Sequence, residues 1–151
     1  MSIIMRLKAE MQGRRKIDAS QHSVSLCDLG RPDAPLIYVN RGFEALTGYR
    51  KDEVTGKNCR FMQGPDTDPA AVQAIRDAIA SSSPLIVDLL NYRKDGTQFW
   101  NRLSLRPVIG PNGTATHIIG IQSDLTKVKA VEEKLFGYAL ELAGFPPTAA
   151  S

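Results

Sequence analysis

The chain has 151 residues, 42% of them hydrophobic, and a formal net charge of +3. That length suits one compact domain with a real core and short extensions, and leaves too little chain for a two-domain enzyme. The charge is uneven: Arg6, Lys8, Arg14, Arg15 and Lys16, set against Glu10 and Asp18, account for the whole surplus, so the chain beyond residue 19 is neutral.

A short basic arm is more often a solvated helix face than a binding element, and no DNA-reading motif accompanies it, so neither nucleic acid nor membrane is expected as a partner. Two cysteines, Cys27 and Cys59, are too few for a disulfide framework and lack metal-ligand spacing. With no signal peptide and no long apolar run, the expected setting is a reducing cytoplasm.

Ile4, Leu7 and Met11 stand at helical spacing, which predicts an amphipathic helix over residues 2–12, stopping near Gly13, within an N-terminal extension of residues 1–21. Strands are predicted at 23–28 and 36–40, forming a hairpin whose loop holds Pro32 and Pro35. Asn40 is an N-cap candidate for short helices punctuated by Gly48 and Gly56. Asp68 followed by Pro69 starts a longer helix that ends around residues 81–83. Its Val72, Ile75 and Ile79 share a face, with Arg76 beside them. Three strands follow, at 85–93, 97–108 and 115–124, joined by the turn sequences Lys94-Asp95-Gly96 and Pro111-Asn112-Gly113. The sum is an α+β domain over residues 22–126, built on a five-stranded antiparallel sheet with a helical insert. Val128, Val131, Leu135, Tyr138 and Leu142 then recur in an a/d rhythm, predicting a C-terminal helix over 127–144 that packs on something or pairs with a copy of itself; Gly137 weakens it. Residues 145–151 are expected to be disordered.

Side chains alternate across a strand, so Asn91 lies with Val87 and Leu89, Asn101 with Phe99, Leu103 and Leu105, and Gln122 with Ile118 and Gly120. Three adjacent strands therefore each place a carboxamide on their apolar side. A buried amide without a partner costs about 1–3 kcal/mol, so these three require either one another or a polar ligand. A flat heterocycle with alternating donors and acceptors fits the second case, and Gly120 leaves room for a ring against the sheet.

The segment Gly56-Lys57-Asn58-Cys59-Arg60-Phe61-Met62-Gln63-Gly64 brings a thiol, a guanidinium and two amides into one short turn. It resembles the GxNCRFLQ signature of the LOV family, the flavin-binding branch of PAS domains. The similarity continues through Asn91-Tyr92-Arg93-Lys94-Asp95-Gly96, Phe99-Trp100-Asn101 and Gly120-Ile121-Gln122, covering about residues 22–126. The resemblance implies a PAS fold that encloses FMN noncovalently in the dark. It also implies a blue-light receptor whose thiol, at Cys59, adds reversibly to flavin carbon C4a. By the same resemblance Asn58, Gln63, Asn91, Asn101 and Gln122 hydrogen-bond the flavin, Gln122 also relaying the signal. Arg60 and Arg76 match phosphate-holding arginines. Ser25, Val72, Ile75, Ile79, Leu89, Leu103, Leu105, Ile118 and Gly120 match the wall of the site, and Glu53 and Lys94 a surface ion pair.

Met62, Ile118 and Cys27 depart from the usual leucine, phenylalanine and threonine-like residue; all three bear on the lifetime of the lit state more than on its formation. Cys27 also brings a second thiol near the flavin. The outer sheet residues Ile86, Leu90, Trp100, Ile119 and Ile121 form an apolar patch that the terminal helices or a second subunit must cover, which points to a homodimer. The downstream protein partner is unknown. No acid/base pair is evident, and His22 and His117 lie outside the motifs, so no enzymatic activity is expected. The alternative is a PAS-type sensor of flavin redox state or a small ligand, without a thiol photocycle.

Overall fold

A computed structural model describes residues 2–6 and 22–144. Ten elements follow one another after residue 22. They are β1 (Ser23–Asp28), β2 (Leu36–Val39), α1 (Arg41–Thr47), α2 (Lys51–Val54), a 3-10 helix (Cys59–Met62), α3 (Pro69–Ala80), β3 (Leu85–Tyr92), β4 (Gln98–Ile109), β5 (Ala115–Asp124) and α4 (Thr126–Leu142). The strands form one sheet in the order β2-β1-β5-β4-β3, and each neighbouring pair is antiparallel. The expected helical insert between β2 and β3 carries the chain from one edge of the sheet to the other. Residues 3–6 form a helical turn; the remainder of the expected N-terminal helix and the expected disordered tail lie outside the described residues.

Small boundary differences have local causes. The second strand stops at Val39 because Asn40, whose N still donates to Val24 O at 3.2 Å, turns its side chain to cap α1. Its Oδ1 accepts from Phe43 N at 3.0 Å and from Val24 N at 2.9 Å, so one side chain both starts a helix and ties it to β1. The third strand stops at Tyr92 because Arg93 N turns to bond Thr97 O at 2.8 Å, closing the turn in which Gly96 takes φ +86°. The cap of α3 follows the sequence: Asp68 Oδ1 accepts from Ala70 N at 2.9 Å, with Pro69 in the first turn.

Leu36, Val39, Phe43, Val54 and Met62 form a buried cluster under α1 and α2, and Cys27, Tyr49, Cys59 and Phe61 pack against it. Gly42 lets α1 approach β1 closely. A Cβ there would stand 2.1 Å from the carbonyl oxygen of His22, a backbone atom with no freedom to move aside.

On the outer sheet face Ile86 is 70% and Ile121 46% exposed, whereas Leu90, Trp100 and Ile119 are half-buried. The start of α4 is fastened there. Leu125 N donates to Trp100 O at 2.8 Å, Thr126 Oγ1 accepts from Trp100 N at 3.1 Å, and Lys129 Nζ lies 4.8 Å above the Trp100 ring. Beyond that point α4 runs through Gly137 with no buried residue, leaving Val128, Val131, Leu135, Tyr138 and Leu142 exposed.

Candidate functional site

The register brings the three carboxamides onto one face of the sheet. Asn101 pairs with Leu89 across β3, Leu103 with Gln122 across β5, and Leu105 with Gly120. Asn91, Asn101 and Gln122 are all buried. Asn101 Nδ2 donates to Asn91 Oδ1 at 2.9 Å, Asn101 Oδ1 accepts from Ser123 N at 3.2 Å, and Asn91 Nδ2 reaches Met62 O at 3.2 Å. The last bond ties the sheet to the cysteine segment.

Gln122 sits between two serines of β1: Ser23 Oγ donates to its Oε1 at 2.5 Å, and its Nε2 donates to Ser25 Oγ at 2.8 Å. The pairing Ser23 with Gln122, Ser25 with Gly120 and Cys27 with Ile118 sets these residues side by side on the amide-bearing face. A Cβ on Gly120 would stand 2.6 Å from Ser25 Oγ and 3.0 Å from Gln122 Nε2, so any larger residue there would push on the Ser25–Gln122 contact.

Asn58 organises the cysteine segment. Its Oδ1 accepts from Arg60 N at 3.0 Å, starting the 3-10 helix, while its Nδ2 donates to Asp33 O at 2.7 Å. Cys59 opens that helix, and its sulfur lies 3.7 Å from the sulfur of Cys27. Because Cys27 belongs to the row containing Gln122 and Gly120, this contact brings the Cys59 thiol over the same face. At that distance either thiol can donate to the other sulfur. Hydrogen bonding from Cys59 lowers the pKa of Cys27 despite its burial, and the same bond, reinforced by burial, holds Cys59 well above an ordinary thiol.

The PAS domain family matches residues 24–127. A blue-light-activated histidine kinase of Erythrobacter litoralis is 46% identical over 112 residues, covering 74% of this chain and 31% of that protein. The isolated LOV domain of the Erythrobacter litoralis EL346 blue-light-activated histidine kinase is 42% identical with a TM-score of 0.67, over 70% of this chain and 96% of that one. The chain is a LOV domain of the PAS superfamily. An RNA-binding light-oxygen-voltage receptor is 39% identical with a TM-score of 0.79, over 91% of this chain and 37% of that one. The LOV chain thus spans about a third of these two longer relatives.

Within this LOV domain the remaining expected site residues divide into two groups. Val72 and Ile75 on α3, Leu103 and Leu105 on β4, Met62 and Ile118 are buried or half-buried, whereas Ile79 is exposed at the rim of a small pocket lined also by Ala78, Leu105 and Ile118. Gln63 is half-buried. The two arginines lie farther out: Arg76 is exposed, and Arg60 forms an ion pair with Asp33. The expected pair Glu53–Lys94 is present and holds the Glu53 carboxyl below the usual range.

Three residues escaped the sequence reading. Asp33 holds both Arg60 and Asn58 from the β1–β2 loop, at a positive φ of 67°. Ser23 completes the grip on Gln122. Thr67 is buried, accepts from Gly64 N at 3.0 Å and donates to Leu90 O at 2.7 Å, fixing the segment that follows Gln63. A long-range partner leaves no local pattern, so only the hydroxyl beside an apolar strand at Ser23 offered a signal.

Proposed function

We propose that this chain is the sensory module of a blue-light receptor, holding FMN noncovalently in the dark and reporting illumination through Cys59 and Gln122. One observation carries the reading: a thiol lies over a sheet face that buries three carboxamides, Asn91, Asn101 and Gln122, the last of them gripped by Ser23 and Ser25. Carboxamides present donor and acceptor together, which suits the edge of a flavin ring, and Leu89, Leu103, Leu105 and Ile118 supply apolar contact for its faces. Gly120 provides the close approach. Arg60 and Arg76, placed outside this face, suit a phosphate at the end of the ribityl chain, with Arg60 exchanging Asp33 for it.

The flavin, when bound, supplies light absorption and a ring carbon, C4a, to which a thiol adds reversibly. Cys59 then has two tasks, to stand beside that carbon and to give up its proton. Its raised pKa keeps it a protonated thiol in the dark. Gln122 is poised to switch, because each serine hydroxyl that grips it both donates and accepts. If the amide turns over, Ser23 and Ser25 exchange roles by rotating their hydrogens, and neither bond is lost. Gln122 lies two positions before Asp124, the last residue of β5, so the change passes directly to the base of α4.

The same reading assigns residues 22–126 to the photosensory core, 127–144 to a transmitting helix, and 1–21 and 145–151 to flanking segments. It takes a homodimer through the outer sheet face and α4, supported by the exposed Ile86, Ile121, Val131 and Leu135. It assigns sensing and no catalysis to this chain, and a reducing cytoplasm suits its two free thiols. Among the described residues no helix is long and apolar enough to cross a membrane.

The absorption spectrum before and after blue light, beside that of Cys59→Ala, tests the proposal. A flavin band that bleaches and recovers in the parent alone is the expected outcome. A flavin-bearing parent that does not bleach would instead favour a redox or small-ligand sensor.

A further inference from the structure

The contact between Cys27 and Cys59 is more than a packing detail, because these are the only cysteines of the chain and they meet although 32 positions apart. We propose that the two form a reversible disulfide when the protein meets a hydroperoxide, and that this bond withdraws the thiol needed for light sensing. The disulfide rests on the geometry alone; its effect on light sensing rests on the function proposed above.

The sulfurs are 3.7 Å apart, and a disulfide requires about 2.05 Å, a closure that side-chain rotation and small backbone shifts can divide between them. Both ends have room to adjust. The ladder between β1 and β2 shifts register between Leu26 and Cys27, and Cys59 is the first residue of a short 3-10 helix rather than the middle of a long one. Both residues are half-buried, so a small oxidant reaches them where a bulky disulfide reagent is hindered.

Two steps balance the chemistry. In the first, the Cys27 thiolate attacks one oxygen of hydrogen peroxide, the O–O bond breaks, and with one proton taken up the products are a sulfenic acid on Cys27 and a water molecule. Cys27 takes this role because Cys59 donates a hydrogen bond to it and eases its ionisation. In the second step the Cys59 sulfur displaces hydroxide from that sulfenic acid, its own proton leaves with the hydroxide as a second water, and the S–S bond forms. The two thiols have lost two electrons and two protons, and peroxide has been reduced to two waters. A small dithiol reverses the reaction by thiol–disulfide exchange.

Hydrogen peroxide is added in the dark to the full chain and to Cys27→Ser, followed by thiol titration, intact mass, and bleaching under blue light. The parent is expected to lose both titratable thiols and the mass of two hydrogens, and to lose bleaching in proportion; dithiothreitol restores all three. Cys27→Ser is compared only with itself before and after peroxide, and is expected to show no loss of two hydrogens and to keep its own bleaching amplitude. Two free thiols in the treated parent, or mass gains of oxygen without a loss of hydrogens, would overturn the disulfide. Equal loss of bleaching in parent and Cys27→Ser would overturn the gating. A parent that forms the disulfide but never bleached beforehand would contradict the light-sensing reading and leave the bond established.

Discussion

Asn101 donates to Asn91 across the β3–β4 ladder at 2.9 Å, so the two carboxamides are held as one polar unit on the inner sheet face. The remaining groups of that unit are also engaged, by Ser123 N and Met62 O. Among the described residues no buried side-chain nitrogen or oxygen lacks a partner.

Replacing Asn101 by leucine removes the donor to Asn91 and the acceptor for Ser123 N together. The expected cost is about 1–3 kcal/mol in denaturant unfolding, from buried groups left unpaired. Flavin retention on gel filtration should fall as well. A variant of parental stability would show that the amide pair is dispensable to the fold.

Gln122→Leu breaks both serine contacts. The expected outcome is a protein that still bleaches but whose light-dependent change in amide hydrogen exchange over residues 126–142 is lost. An unchanged exchange difference would remove Gln122 from the relay.

Gly42→Ala should destabilise by about 1–3 kcal/mol, because the added carbon meets the backbone of His22 and α1 must shift off β1. Thermal unfolding measures it directly. Gly137→Ala, on a helix surface with nothing within 4 Å, is the matched control and should be neutral or slightly stabilising.

Asp88 joins β3 to its neighbours: its carboxylate accepts from Arg102 at 2.9 and 3.2 Å and lies 3.2 Å from Lys129. The hydrogen bond from Arg102, with a smaller contribution from Lys129, lowers its pKa. A carboxyl whose folded pKa is depressed contributes stability that is full above its unfolded value of about 3.9 and is lost as pH falls through the folded value. Asp88→Asn should therefore cost at most about 1 kcal/mol near neutrality and nothing at a pH below both values. Thermal unfolding of parent and variant across that range checks the convergence.

Where hydrophobic alternation and turn chemistry agree, the sequence specified the fold closely: β1 and β5 occupy the expected spans, and Asn40 and Asp68 cap the expected helices. The amide face was legible for the same reason, since period-two alternation places Asn91, Asn101 and Gln122 without reference to any partner strand. What escaped depends on contacts between distant segments. Neither Asp33 reaching Arg60 nor His22 pressing on Gly42 has a local signature, because each is set by how the insert folds back on β1. The expected apolar patch was half right in extent, as Leu90, Trp100 and Ile119 are partly covered while Ile86 and Ile121 are not.

The fastening of α4 has a mechanical corollary. Its 17 residues amount to a rod about 25 Å long at ~1.5 Å per residue, pinned at one end by Trp100, Thr126 and Lys129. A pivot of about 5° at the pin would sweep the far end through roughly 2 Å, on the geometry of a rigid rod of that length. A side-chain rearrangement too small to disturb the sheet would thus be magnified at Leu142, where a partner could register it as a gained or lost contact.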